Sequence, residues 1–297
     1  MTVYQQISRN KFKTIFVFLW FFALIALISY VAGYYFEDPN TFLIFGLFIA
    51  LISGFGSYFY SDKIVLGMTG AKPADKEKYF DYYTSVENLS IATGVLMPKV
   101  YVIEDEAPNA FATGRDPKHG VIVATTGLLD KLNRAETEGV ISHELSHIKN
   151  YDILVMMVVT VLAGMIVFAT DMMSRSMMYG GRRRSSNKGG SAMLFIFLAV
   201  IILTPIFATL IKLAISRKRE YMADASGVLI TRNPKGLASA LEKISKDSHV
   251  LKRASNATSH LFITNPFQKK SKFTNFVAGL FSTHPPIDKR ISLLENM

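Results

Sequence analysis

The chain contains no cysteine. Disulfides, thiolate nucleophiles and cysteine-built metal centres are thereby excluded, and any metal must be held by histidine and carboxylate groups. Charge is also missing over long distances. Residues 14–36, 41–61, 153–170 and 189–211 form stretches of 23, 21, 18 and 23 residues without a single charged side chain. At a helical rise of about 1.5 Å per residue even the shortest reaches roughly 27 Å, close to the hydrocarbon thickness of a bilayer. Hydrophobic residues make up 50% of the chain and gather in these blocks, so a mainly α membrane protein with four apolar helices is expected. No nucleic-acid motif accompanies the net charge of +10. That excess is read as contact with anionic lipid, with no nucleic-acid partner.

Arg9, Lys11 and Lys13 precede the first apolar run in the manner of a signal peptide. The run is too long for one and lacks a small-residue cleavage site, so it is expected to stay as an anchor. The connection 37–40 carries Glu37 and Asp38 but no basic residue. The positive-inside rule then places the N-terminus, and everything from residue 62 onward, in the cytoplasm of a multi-pass cell-membrane protein. The loop between the third and fourth runs, with Arg175, Arg182, Arg183, Arg184 and Lys188, runs against this rule if both runs span. A spanning pair is the expectation, with a shallow cytoplasmic hairpin as the alternative.

Between the apolar runs, residues 62–152 and 212–297 are polar enough to form the two parts of one domain, leaving 1–61 as an anchor pair and 153–211 as a second helical pair with its basic loop. A helix is predicted over 74–93, strands over 99–103, 109–113 and 121–124, and a hairpin connection at 115–120. The next helix should begin after Asn133, with Glu136 completing a capping box, and run on towards residue 153. Helices are predicted over 216–230 and 234–246, and 253–273 reads as irregular.

The chemistry is concentrated in His143-Glu144-Leu145-Ser146-His147. Residues four apart share a helical face, so both imidazoles can address one zinc ion at about 2.0–2.1 Å. Glu144, beside the first ligand, is placed to take a proton from zinc-activated water without binding the metal. A catalytic zinc needs a third protein ligand, and His119, His249, His260, His284 and several carboxylates are available. Glu220 and Asp224 form an i, i+4 pair after the fourth run, with Asp224 able to steady a ligand histidine. Among Arg217, Lys218 and Arg219, however, such a pair is more often a solvated charged face. Helical rise puts His147 and Glu220 roughly 9 and 14 Å above the same membrane face if the third and fourth runs form a hairpin.

The landmarks Asn109-Ala110-Phe111-Ala112, His143-Glu144-x-x-His147 with Asn150 and Asp152, Glu220-x-x-x-Asp224 and Ser282-Thr283-His284-Pro285-Pro286, following an anchor pair, run through essentially the whole chain. In this the sequence resembles HtpX-type membrane zinc metallopeptidases, relatives of the CAAX prenyl endopeptidases. The resemblance implies an α+β, gluzincin-like catalytic domain with a small sheet beside the motif helix, one zinc ion with Glu220 as third ligand, and polypeptide substrates. It implies a role in membrane-protein quality control, a stress response. It also implies that Asn109, Ala110, Phe111 and Ala112 form an edge strand along which substrate lies, and that His284 and Arg290 polarise the scissile carbonyl. Two rivals remain: a non-catalytic membrane scaffold or chaperone, which would not need Glu144, and a prenyl-protein peptidase, for whose intramembrane chamber four apolar runs look too few.

Overall fold

A computed structural model of the chain describes residues 3–35, 37–158, 217–252, 254, 258–264, 266 and 285–297. Most of the third apolar run, the whole fourth run, the basic loop between them and His284 lie outside the described residues. The structure is mostly helical with one small sheet.

Helices α1 (Val3–Tyr35) and α2 (Pro39–Thr69) pack against each other as a hairpin. The turn between them has physical causes. Glu37 takes a left-handed φ of 63°, Asp38 caps α2 by accepting from the Thr41 N–H, and Pro39 occupies the first helical turn. Gly46 lets the helices meet, since a Cβ there would lie 1.9 Å from Ser29 Oγ. Both helices are long and apolar enough to cross a membrane. Phe12, Leu19, Ile44, Phe45 and Phe48 are all at least 60% exposed, an outward apolar surface that water does not tolerate but lipid does. Helix α2 runs past residue 61 to Thr69, and its last turns bury Val65 and Leu66 beside Phe111 and Phe262.

The sheet follows directly. Strands β1 (Lys72–Pro73), β2 (Lys99–Ile103), β3 (Ala110–Thr113) and β4 (Val121–Thr125) lie in the order β1-β2-β4-β3. Strands β2 and β4 are parallel, with Lys99 opposite Val121, whereas β3 runs antiparallel to β4, with Ala110 opposite Ala124. The 115–120 connection is the expected hairpin, closed by a 3-10 turn at Pro117–His119 that Asp116 caps. Helix α3 (Phe80–Thr93) begins six residues later than its periodicity suggests. Asp75 ties the N–H groups of Glu77 and Lys78 into a turn, and the Ala74 N–H is already taken by the Val100 carbonyl.

A short helix α4 (Thr126–Lys131) leads into α5 (Arg134–Lys149), which bears the His-Glu-x-x-His motif. Its start is the predicted capping box, with the Asn133 side chain accepting from the Glu136 N–H and the Glu136 carboxylate accepting from the Asn133 N–H. Glu136 also accepts from Ser239 Oγ at 2.6 Å and Lys243 Nζ at 2.7 Å, both on α7 (Pro234–Lys246). Burial opposes ionisation there, but these donors hold the carboxyl below its ordinary range.

Helix α5 packs on the sheet through Val140, Ile141, Leu145 and Ile148, next to Ala112 and Ile122, and on α7 through Leu237 and Leu241. Each such buried aliphatic side chain contributes about 1.5–3 kcal/mol. Two glycines set the spacing of the helices. A Cβ at Gly139 would lie 2.8 Å from Leu237 N, and one at Gly227, on α6 (Arg217–Thr231), would lie 2.9 Å from Ser142 Oγ. These contacts bring α6 against α5 at the level of His143. A last helix, α8 (Ile287–Glu295), packs on α6 and α7.

Helix α5 stops at Lys149 and does not continue to residue 153. Tyr151 adopts a left-handed φ of 59°, which turns the chain before a new helical segment takes up residues 152–158.

Candidate metal centre

His143 and His147 stand one turn apart on the face of α5 that meets α6, and α6 presents Glu220 to both. All three are buried, and one donor atom from each lies within 4.8 Å of the other two. His143 Nε2 and His147 Nε2 are 3.2 Å apart. Two ligands on one tetrahedral zinc, each at 2.0–2.1 Å, would be separated by about 3.3 Å. Glu220 approaches from the third side, with Oε2 3.8 Å from His143 Nε2 and Oε1 3.6 Å from His147 Nε2.

The outer ring nitrogens are also occupied. His143 Nδ1 lies 2.9 Å from Asp224 Oδ1, and His147 Nδ1 lies 3.1 Å from Asp152 Oδ2. A carboxylate can only accept, so each Nδ1 carries the proton and each Nε2 turns its lone pair to the common centre. Arg290 is fully buried and holds Asp224 through two bonds, Nε to Oδ2 at 2.8 Å and Nη2 to Oδ1 at 2.7 Å. Burial opposes the Asp224 carboxylate, but Arg290 and His143 pull its pKa down to about 2.

Charge gives an independent test of what the cluster can hold. Glu144, Asp152, Glu220 and Asp224 are all buried, against the buried cations Arg219 and Arg290. With neutral histidines, these six buried groups among the described residues carry two more negative than positive charges, an imbalance that a divalent cation would cancel. Burial lowers the affinity of His147 for a proton, yet Asp152, Glu220 and Glu144 together raise its pKa to about 9. Two imidazoles and a carboxylate are also a donor set that suits zinc.

Glu144 is not one of the three converging donors and accepts from the Ala112 N–H. Burial pushes its carboxyl up, with Glu220 adding to this and His147, Arg290 and the Ala112 N–H opposing, to about 7. The Ala112 N–H that reaches Glu144 lies on the outer edge of β3, the last strand of the sheet.

Structure and expectation part at several residues. The Asn109–Ala112 edge is not open to solvent: Ala110, Phe111 and Ala112 are at most 2% exposed. Residues 261–264 lie along it, with the Ile263 N–H donating to the Ala110 carbonyl at 2.9 Å and Asn109 Nδ2 donating to the Thr264 carbonyl at 3.2 Å. Phe262 stands edge-on to Phe111 with ring centres 5.0 Å apart. Arg290, expected beside a scissile carbonyl, bonds Asp224 and the Ile263 carbonyl and also lies 3.4 Å from His143 Nδ1 and 3.9 Å from Glu220 Oε2. His119 and His249 remain outside the cluster, bonded to Asp116 and Asp247.

Two members of the site were given no role by sequence reasoning, although Asp152 stood among the landmarks of the resemblance. Asp152 follows His147 by five residues, off the helical face, and reaches it only because the chain turns at Tyr151. Arg219 belongs to a triplet that reads as solvated, but it is buried and lies 3.4 Å from Asp152, while Arg217 and Lys218 are exposed. No spacing rule announces either residue.

A buried His-His-Glu cluster beside a sheet edge, carried on a chain with two membrane-length apolar helices, has the features of a membrane metallopeptidase. Comparison with known proteins makes the class specific. Residues 82–297 match Peptidase family M48. A protease HtpX homolog of Dictyoglomus turgidum is 45% identical over 296 residues, covering all of this chain and 95% of that one. Another, of Caldanaerobacter subterraneus subsp. tengcongensis, is 45% identical over 300 residues and covers 100% and 98% of the two chains. The chain belongs to peptidase family M48. In fold it is similar to the crystal structure of S. mikatae Ste24p, with a TM-score of 0.52 at 18% identity over 98% of this chain and 66% of that one.

Proposed function

We propose that the protein is a zinc-dependent endopeptidase that cleaves misfolded or damaged membrane proteins at the cytoplasmic face of the cell membrane. The observation that carries this reading is the convergence of three buried donor atoms on one point, with a buried carboxylate next to them. His143, His147 and Glu220 would hold the zinc, Asp224 and Asp152 would orient the two histidines, and residues 62–152 and 212–297 would form one catalytic domain that includes α5, α6 and α7. Bound zinc supplies Lewis acidity, making water acidic enough to ionise near neutrality and polarising a carbonyl oxygen. Glu144 accepts the proton of the attacking water and delivers it to the leaving amine nitrogen.

Substrate binds as an extended strand on β3, recognised through its backbone, a mode that accepts many sequences. Two strands cannot share one edge, so residues 261–264 must leave Ala110 when the substrate enters. Arg290 acts by holding Asp224 in place; His284 is assigned to the scissile carbonyl. The protein purified in detergent should contain about one zinc ion per chain and cleave casein, and a chelator should stop cleavage until zinc is returned. Casein cleavage that survives complete zinc removal would rule the reading out.

Orientation is tested separately because the chain has no native cysteine. Asn40 in the first turn of α2 and Ser248 after α7 are both exposed. With a membrane-impermeant thiol reagent on intact cells, Asn40→Cys should label and Ser248→Cys should not. Labelling of Ser248→Cys from outside would place the catalytic domain on the other face.

A further inference from the structure

Asn10 lies near the start of the first apolar helix but is only 2% exposed. A buried amide on a membrane helix is costly unless its polar atoms are bonded. Its Nδ2 donates to Asp152 Oδ1 at 2.7 Å and to the Asn150 carbonyl at 2.9 Å. The other oxygen of Asp152, Oδ2, lies 3.1 Å from His147 Nδ1. Arg219 Nη1 also reaches Asp152 Oδ1, but at 3.4 Å, so the short bond that sets the carboxylate's rotation comes from Asn10.

The turn that carries Asp152 needs such support, because Tyr151 holds a left-handed φ of 59° that a non-glycine residue adopts only when its surroundings impose it. Helix α1 supplies two more contacts there. The Lys11 ammonium sits 4.6 Å from the centre of the Tyr151 ring, and Val17 packs with Leu154 and Val158 just beyond the turn.

We propose that Asn10 is a positioning residue of the metal centre: from the first membrane helix it fixes the Asp152 carboxylate, and through it the tautomer and orientation of His147. The anchor then completes the metal site as well as tethering it. This rests on His147 being a zinc ligand.

The test uses the full-length protein in detergent and measures zinc affinity by competition with a chromophoric chelator, together with the visible spectrum of the cobalt-substituted protein. Asn10→Ala should weaken zinc binding about tenfold, and Asp152→Asn by about 10 to 100-fold, as loss of an outer-shell partner does. Asn10→Asp keeps the shape but sets a carboxylate against Asp152, and should weaken zinc at least as much as Asn10→Ala. The double variant Asn10→Ala/Asp152→Asn should bind zinc no worse than Asp152→Asn alone, because both changes act on the same bond to His147. Both single variants should shift the cobalt spectrum while thermal unfolding stays cooperative.

Native zinc affinity and an unchanged spectrum in the two Asn10 variants would overturn the proposal, and so would strict additivity in the double variant. Loss of cooperative unfolding in both Asn10 variants would also count against it, since a positioning role leaves the fold standing. His147→Ala separates the underlying assignment: if zinc affinity is native in that variant, the ligand set is wrong, whatever Asn10 does.

Discussion

Glu144→Gln is expected to remove proteolysis while zinc stays bound. The amide is nearly isosteric with the carboxylate and keeps the contact surface of α5, but it cannot accept the proton of the attacking water. Loss of a general base typically costs about 10²–10⁴-fold in rate. Glu144 is not one of the three converging donors, so zinc content should remain near that of the parent protein. Removing one of the cluster's excess negative charges changes its affinity for a divalent cation far less than removing a ligand does. The two readings, casein cleavage and zinc per chain, must therefore separate. A zinc-replete Glu144→Gln protein with full activity would remove this residue from the chemistry and with it the mechanism proposed above.

The second large effect lies in the ligand set. Glu220→Ala deletes a donor that approaches both histidine Nε2 atoms, at 3.6 and 3.8 Å, and should cost zinc affinity well beyond the roughly 10 to 100-fold expected for Asp224→Ala, which removes only the partner of His143 Nδ1. Arg290→Ala should follow Asp224→Ala, because both Arg290–Asp224 bonds are shorter than its other contacts. A donor to the scissile carbonyl would behave differently, lowering kcat with zinc affinity intact. Zinc titration of the three variants distinguishes these outcomes. Glu220→Ala binding zinc more tightly than Asp224→Ala would mean that the third ligand lies elsewhere.

The large exposed side chains of α1 and α2 have no place in a soluble fold, and burying them in lipid rather than protein is consistent with their clustering in charge-free runs. The tie between Asn10 and Asp152 gives this a mechanistic side. On the proposal made above, conditions that unseat the first helix from the turn at 150–152 would act directly on the metal centre, where a flexible tether would have left it untouched.

Local rules decided much of this protein from the sequence. Charge-free runs foretold the apolar helices α1 and α2, the capping box at Asn133 and Glu136 foretold where α5 begins, and alternation foretold β2, with β3 and β4 expected as the two strands after it. The i, i+4 spacing of His143 and His147 put two imidazoles on one face, because that depends only on helical pitch. Tertiary structure decided the rest. Whether Glu220 meets the histidines depends on Gly227 letting α6 approach α5. That Arg219 is buried, that Arg290 serves Asp224 and that residues 261–264 cover the β3 edge are outcomes of packing between segments far apart in the chain. Asp152 reaches His147 only through a left-handed turn braced by a residue 142 positions away. Short-range hydrogen bonds and periodicity are written in neighbouring residues, whereas the burial of a charge and the choice of its partner are settled by which surfaces close on each other, and no local pattern carries that information.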